Sequence, residues 1–155
     1  MKRIPEGAAP PIKNRSWSLT TDVEVEEDSG IIATQGGLLA GWALYFEKGK
    51  PVFSYSFTSD ERWRIVANDP LPAGKHKLVM NLTYDGGGMG KGGAVSITAD
   101  GKVVAEGKLG RTVPFRFSTE ETLDIGEDAG TQVDLFYDVP AKFTGKLDKV
   151  TIDLK

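Results

Sequence analysis

The parts of this chain whose residue types and spacing bear on chemistry are few. They are one histidine, His76, a row of carboxylates at Asp22, Glu24 and Glu26, and a glycine-dense loop at Gly86–Gly93. A histidine acting as a general base needs a nucleophile and an orienting partner. No serine or cysteine motif accompanies His76, and it falls in period two with Leu78, Met80 and Leu82. It therefore reads as a core or sheet-edge histidine. Two carboxylates hydrolyse a glycosidic bond with retention when they stand about 5–5.5 Å apart. Alternate residues of one strand are separated by roughly 6.6–6.8 Å. A bulge would be needed to turn Glu24 and Glu26 into such a pair, and a solvated strand face is the plainer reading. Gly88-Met89-Gly90-Lys91-Gly92-Gly93 matches G-x-G-x-x-G by letters. The dinucleotide fingerprint requires a helix next, to hold the pyrophosphate at its N-terminus. Here AVSITA follows, which is a strand, and Gly92 stands where a Walker loop has Ser or Thr. The loop reads as a hairpin connection that needs positive φ. A second reading has its free N–H groups and Lys91 contacting an anion such as sulfate or carboxylate.

Two further groups have binding chemistry. Asp124, Glu127, Asp128, Asp134 and Asp138 cluster around Gly126 and Gly130. Calcium takes several carboxylates on an irregular loop, but this spacing is not that of an EF-hand. Solvated turn residues are the default, with Asp124 and Asp128 as weak metal candidates. Aromatic rings stack on sugars. Trp17 and Trp42 lie in apolar rows and read as core, whereas Trp63, between Arg62 and Arg64, reads as the least core-like tryptophan. Trp63, Tyr45 and Tyr55 are the candidate stacking residues. Asn14-Arg15-Ser16 and Asn81-Leu82-Thr83 are glycosylation sequons by letters only.

Composition narrows the function classes. A net charge of -3 argues against a nucleic-acid groove, which needs a basic face. Without cysteine there is no disulfide, thiolate metal site or cysteine nucleophile. The compartment stays open. No apolar run approaches a membrane span, and the basic start MKRIPEGAAPPIKNRS lacks the apolar stretch of a signal peptide.

The elements that must position these residues are strands. Residues 1–15, with Pro5, Pro10 and Pro11, predict an extended arm, and 16–155 a single β-sandwich domain. Trp17, Leu19, Thr21, Val23 and Val25 alternate with Ser18, Thr20, Asp22, Glu24 and Glu26, a strand with one wet face. Trp42, Leu44 and Phe46 share a face, and Phe53, Tyr55 and Phe57 follow across the turn at Lys48-Gly49-Lys50. Arg62–Ala67 is a strand, and Lys75–Tyr84 alternates well. Asp100-Gly101 joins AVSITA to KVVAEG as a two-residue hairpin loop, with Val95, Ile97 and Ala99 on one face. Val113–Phe117, Glu121–Ile125 and the last run, with Leu147, Val150, Ile152 and Leu154, complete the set. About a dozen short strands predict two antiparallel sheets in jelly-roll order. Trp17, Leu78, Leu82, Ile97, Val150 and Ile152 are expected in one core.

Several stretches, in order, resemble the C-terminal domain of bacterial arylsulfatases. They are RIPEGAAPPIKNRSWSLTTDVEV, GIIATQGGLLAGWALYFEKGKPVFSY, PLPAGKHKLVMNLTYDGGGMGKGGAVSITADGKVVAEGKL, RTVPFRFSTEETLDIGEDAGTQV and FTGKLDKVTIDL. The resemblance implies an all-β, concanavalin-like jelly-roll sandwich that follows a sulfatase α/β domain. It also implies that the chemistry lies elsewhere. Sulfatases use a formylglycine from a C/S-x-P-x-R motif, and this chain has no such motif. Thr58–Arg62 departs from the family's pattern. The expectation is a non-catalytic accessory domain without cofactor, partnered by a sulfatase catalytic domain or by another subunit. Met89 and Lys91 are then contact candidates on the glycine loop. A carbohydrate-binding module is the alternative, and a glycosidase using Glu24 and Glu26 the third reading.

Overall fold

The computed structural model describes residues 3–26, 30–37, 39–58, 60–115, 117, 122–128, 133 and 141–155, the last segment without the side chains of 141 and 142. Among them are twelve strands. In chain order they are β1 (Trp17–Val25), β2 (Ile31–Gly36), β3 (Gly41–Glu47), β4 (Lys50–Ser56), β5 (Arg62–Val66) and β6 (Gly74–Tyr84). Then come β7 (Lys91–Ala99), β8 (Lys102–Arg111), β9 (Leu123–Ile125), β10 (Glu127–Asp128), β11 (Ala141–Lys142) and β12 (Lys146–Leu154). One five-stranded sheet has the order β12-β1-β6-β7-β8 and the other β5-β4-β3-β2-β9. The pairings are antiparallel, and β10 pairs separately with β11. The result is a concanavalin-like jelly-roll sandwich.

Local chemistry accounts for the two tight hairpins. Asp100 and Gly101 have φ of 52° and 84°, and Lys48 and Gly49 have 51° and 80°. Positive φ at both central positions is the primed turn whose twist matches antiparallel strands.

The alternation read from the sequence decides what is buried. Trp17, Leu19, Val23, Leu78, Met80, Leu82, Val95 and Ile97 face inward from the first sheet. Trp42, Leu44, Phe53 and Tyr55 meet them from the second. Trp17 and Trp42 are in contact, with ring centroids 5.1 Å apart, and Phe53 stacks on Trp42 at 6.2 Å.

Three expectations need correction. Val150 and Ile152 are only partly buried, because β12 is an edge strand. None of the described residues among 113–117 is in a strand. The N-terminal arm is not simply extended. It makes a short 3-10 turn at Glu6–Ala8, pairs Ile4 with Leu123 and buries Ile12. The sequence pattern does not anticipate one feature of the second sheet: it is covered on both faces. Ile31, Ala43, Tyr45, Val52 and Val133 form a separate buried cluster on its outer side.

The two long sides of the sandwich differ. On one, β5 lies over β8. A Cβ at Gly107 would stand 2.6 Å from Ile65 Cγ1, and one at Gly110 3.0 Å from Trp63 Cζ2. Glycine at these positions lets the sheets meet. On the other side, β12 and β9 are the facing edges.

Candidate functional site

Loops at one end of the sandwich form a rim that carries exposed apolar side chains. Strands β6 and β7 are joined there by the glycine loop, where Gly86, Gly87, Gly88 and Gly90 all have positive φ. The loop is clamped despite its composition. The Tyr84 hydroxyl donates to the Gly88 carbonyl and accepts from Lys91 N–H at 2.9 Å. Gly90 N–H donates to Asn14 Oδ1 at 2.8 Å, and Asn14 Nδ2 donates to the Pro114 carbonyl at 2.9 Å. Thr112 Oγ1 donates to the Lys91 carbonyl at 2.7 Å. The arm, the glycine loop and the 112–115 segment are thus tied into one rim. Met89 is 56% exposed on it and Phe115 76%. Leu39, 72% exposed, belongs to the neighbouring β2–β3 loop, which meets the rim where Gly36 approaches Phe117.

Charged groups hold the flanks. Arg111 pairs with Glu61 through two hydrogen bonds and lies over the Phe57 ring, 4.5 Å from its centroid. The hydrogen bonds from Arg111 hold the Glu61 carboxyl below its ordinary range, and Glu61 in turn raises Arg111. Glu6 accepts from Phe117 N–H at 2.9 Å and pairs with Lys13. The sequence reading missed Phe115, because one phenylalanine in a short apolar run carries no sign of its exposure.

The candidate stacking residues divide. Tyr45 is 1% exposed, with its hydroxyl accepting from Arg64. Tyr55 is 3% exposed and accepts from Val113 N–H at 2.8 Å. Burial pushes the Tyr55 hydroxyl far above its ordinary pKa. Neither ring can stack on a sugar, because period two placed each against one of the two cores. Trp63 is half-buried, with its ring edge against Gly110. Met89 and Lys91 are exposed as contact residues must be.

Asp124 and Asp128 are buried rather than set on an open, solvated turn. Asp124 is 2% exposed and accepts from Arg3 N–H and, at 3.2 Å, from Thr122 Oγ1. Asp128 is 1% exposed in β10. Asp134 and Asp138 lie outside the described residues. Among the described residues no three His, Asp or Glu side chains are grouped as metal ligands need to be.

The opposite end of the sandwich holds a groove of about 560 Å³, with the charged side chains Asp22, Glu24, Lys75, Lys77, Asp100 and Lys146 along it beside Val23 and Leu147. Glu24 lies 3.8 Å from Lys146 Nζ. At the groove wall His76 Nδ1 is 2.6 Å from Asp100 Oδ2, and Nε2 is 2.7 Å from the Pro72 carbonyl. Burial opposes a charge on the ring. The bonds to Asp100 and Pro72 outweigh it and raise the His76 pKa above 6.5. Lys77 N–H donates to Asp100 Oδ1 at 2.9 Å, and this bond, then His76, lowers the Asp100 carboxyl. Both ring nitrogens are thus taken up by hydrogen-bond partners within the fold, Nε2 facing a carbonyl and Nδ1 a carboxylate. His76 pins the 72–76 segment to the 100–101 turn.

Comparison with known proteins places the fold. No family model and no curated protein matches the sequence. Solved structures do match in shape. The LG1-3 region of the laminin alpha2 chain superposes with a TM-score of 0.66 at 15% identity, over 94% of this chain and 29% of that one. Domains LG4-5 of the mouse laminin alpha1 chain give 0.64 at 11%, over 98% and 39%. The native heptameric SAP-like pentraxin from Limulus polyphemus gives 0.55 at 12%, over 98% and 66%. This chain therefore spans well under half the length of either laminin fragment. At such identities the likeness is one of fold, and none of the three is a sulfatase.

Proposed function

We propose that this chain is a non-catalytic accessory sandwich that docks onto a sulfatase catalytic domain through the rim carrying Met89 and Phe115. The observation that carries the reading is the exposure of these two apolar side chains on a rim held by its own hydrogen bonds. Large side chains presented by a preorganised backbone lose little entropy on binding, and exposed apolar groups of this kind mark interaction sites. The ordered resemblance to arylsulfatase C-terminal domains supplies the partner. His76 supports the non-catalytic part, since its nitrogens are both engaged.

The test mixes the purified chain with an arylsulfatase catalytic domain lacking its own C-terminal segment, and measures binding by calorimetry. Met89→Asp is expected to weaken binding about tenfold, ~1.4 kcal/mol, while leaving the melt of the isolated chain unchanged. Unchanged affinity in both Met89→Asp and Phe115→Ser would remove the rim from docking.

The fold likeness and one specific feature favour carbohydrate binding as a second reading. The groove at the other end offers carboxylate acceptors and ammonium donors, the groups that recognise sugar hydroxyls and acidic sugars. Glycan-array binding that is lost in Asp22→Asn or Lys75→Ala, and kept in Met89→Asp, would select it over docking.

A further inference from the structure

The open long side of the sandwich carries an inference independent of the rim. Strand β12 is the outer strand of its sheet, pairing with β1 on one side only. Lys155 N–H donates to the Ser16 carbonyl at 3.0 Å, which sets the phase of that ladder. Backbone groups alternate in direction along a strand. Asp153 and Thr151 therefore turn theirs toward β1, and Leu154, Ile152 and Val150 turn theirs outward. Among the described residues nothing pairs with these outward groups. Beside them runs a groove of about 700 Å³, with Ile4, Pro10, Leu123 and Ile125 among its lining opposite Val150 and Ile152. Those two side chains face the core yet stay partly exposed, and among the described residues no further strand covers them.

Edge strands are usually blunted by bulges, charges or covering segments. Here the bulge is confined to the start of β12, where the register shifts between the Thr21 and Val23 pairings. From Val150 to Leu154 the strand is regular, each residue opposite one of Thr21 to Trp17 in turn. Lys149, Thr151 and Asp153 share the outer face there.

We propose that β12 pairs antiparallel with β12 of a second copy, about a two-fold axis through Thr151, joining the two five-stranded sheets into one. In this register Val150 and Ile152 of opposite copies exchange their outward N–H and C=O groups. Lys149 of each copy stands across from Asp153 of the other, so symmetry gives two complementary pairs. Thr151 meets its own image, and opposed threonines at a non-hydrogen-bonded position are a favourable cross-strand pair. A register centred on Ile152 would oppose Lys149 to Lys155, and one centred on Asp153 would oppose two aspartates. Directly opposed like charges destabilise a strand pair, and a register centred on Val150 would set Lys149 against Thr151 with no charge pair, so charge favours the Thr151-centred arrangement. The interface is isologous and closes as a dimer rather than a fibre.

The experiment is sedimentation equilibrium of the full chain from about 10 µM to about 1 mM, the range in which weak interfaces saturate. Amide exchange at Val150 and Ile152 is followed at both ends of that range. A concentration-dependent dimer is expected, with these two amides becoming protected as it forms. Lys149→Asp should weaken it at least about tenfold by placing aspartates opposite each other. Lys149→Asp combined with Asp153→Lys reverses both members of each pair and should restore it to within about threefold. That rescue separates the charge effect from a folding defect. A chain that stays monomeric throughout, a dimer indifferent to Lys149→Asp, or a double variant no better than the single one would each overturn the proposal. Met89→Asp should leave the dimer unchanged, so this inference and the rim reading fail separately.

Discussion

At the scale of single residues, His76 and Asp100 make a pH-dependent clasp whose sign follows from their partners. The folded pKa of His76 is raised, so its contribution is complete below the ordinary histidine value of 6.5 and is lost as pH rises through the folded value. That of Asp100 is lowered, so its contribution is present above the ordinary value of 3.8 and is lost as pH falls through the folded one. The clasp is therefore fully formed between 3.8 and 6.5. Thermal melts across pH should show stability declining above 6.5, and Asp100→Asn should flatten that decline. The periodicity put His76 on the inner row of β6, and that placement holds. Its partners came from the 72–76 segment and the 100–101 turn, 4 and 24 residues away. Only the folded chain brings them to one ring.

Individual strands show where alternation is a sufficient guide and where it is not. Ile97 is fully buried between the sheets, so Ile97→Ala should cost roughly 2–5 kcal/mol in denaturant melts. Val103, half exposed on the same hairpin, should tolerate Ser within about 0.5 kcal/mol. Gly107 tests the closed side of the sandwich. Its position on β8 would suit any strand former by propensity, yet a side chain there meets Ile65. Gly107→Val should destabilise by about 1–3 kcal/mol through overpacking. A neutral result would mean that β5 moves aside and that the closure is soft. Tyr45 shows the limit of alternation. It occupies the face of β3 opposite to Trp42, Leu44 and Phe46, and that face is covered by a second cluster that includes Val133. A residue 88 positions downstream decides its exposure, and nothing in the local pattern marks it.

For the whole molecule, the contrast lies between its two ends and its two sides. One end presents Met89 and Phe115 and the other a charged groove; one side is shut by β5 on β8 and the other ends in β12, a strand paired on one edge only among the described residues. We expect the isolated chain to unfold cooperatively, since a contiguous core joins both sheets. It should also show no turnover of a chromogenic aryl sulfate. Activity that survives a second purification and exceeds a heat-treated control would refute the accessory reading.

What the sequence determined by itself was local and periodic. Alternation assigned the inner rows of β1, β6 and β7, Asp100-Gly101 closed its hairpin, and the glycine loop took the positive φ its composition calls for. These follow from steric limits acting within a few residues, which is why short windows suffice. The tertiary structure alone decided which faces are covered twice, which glycines are required by an opposing sheet, and which strand is left at an edge. It withdrew Tyr45, Tyr55, Asp124 and Asp128 from the surface and placed Phe115 on it. The reason is physical: a residue's exposure is set by whatever packs over it, and in a jelly roll that neighbour comes from a distant part of the chain.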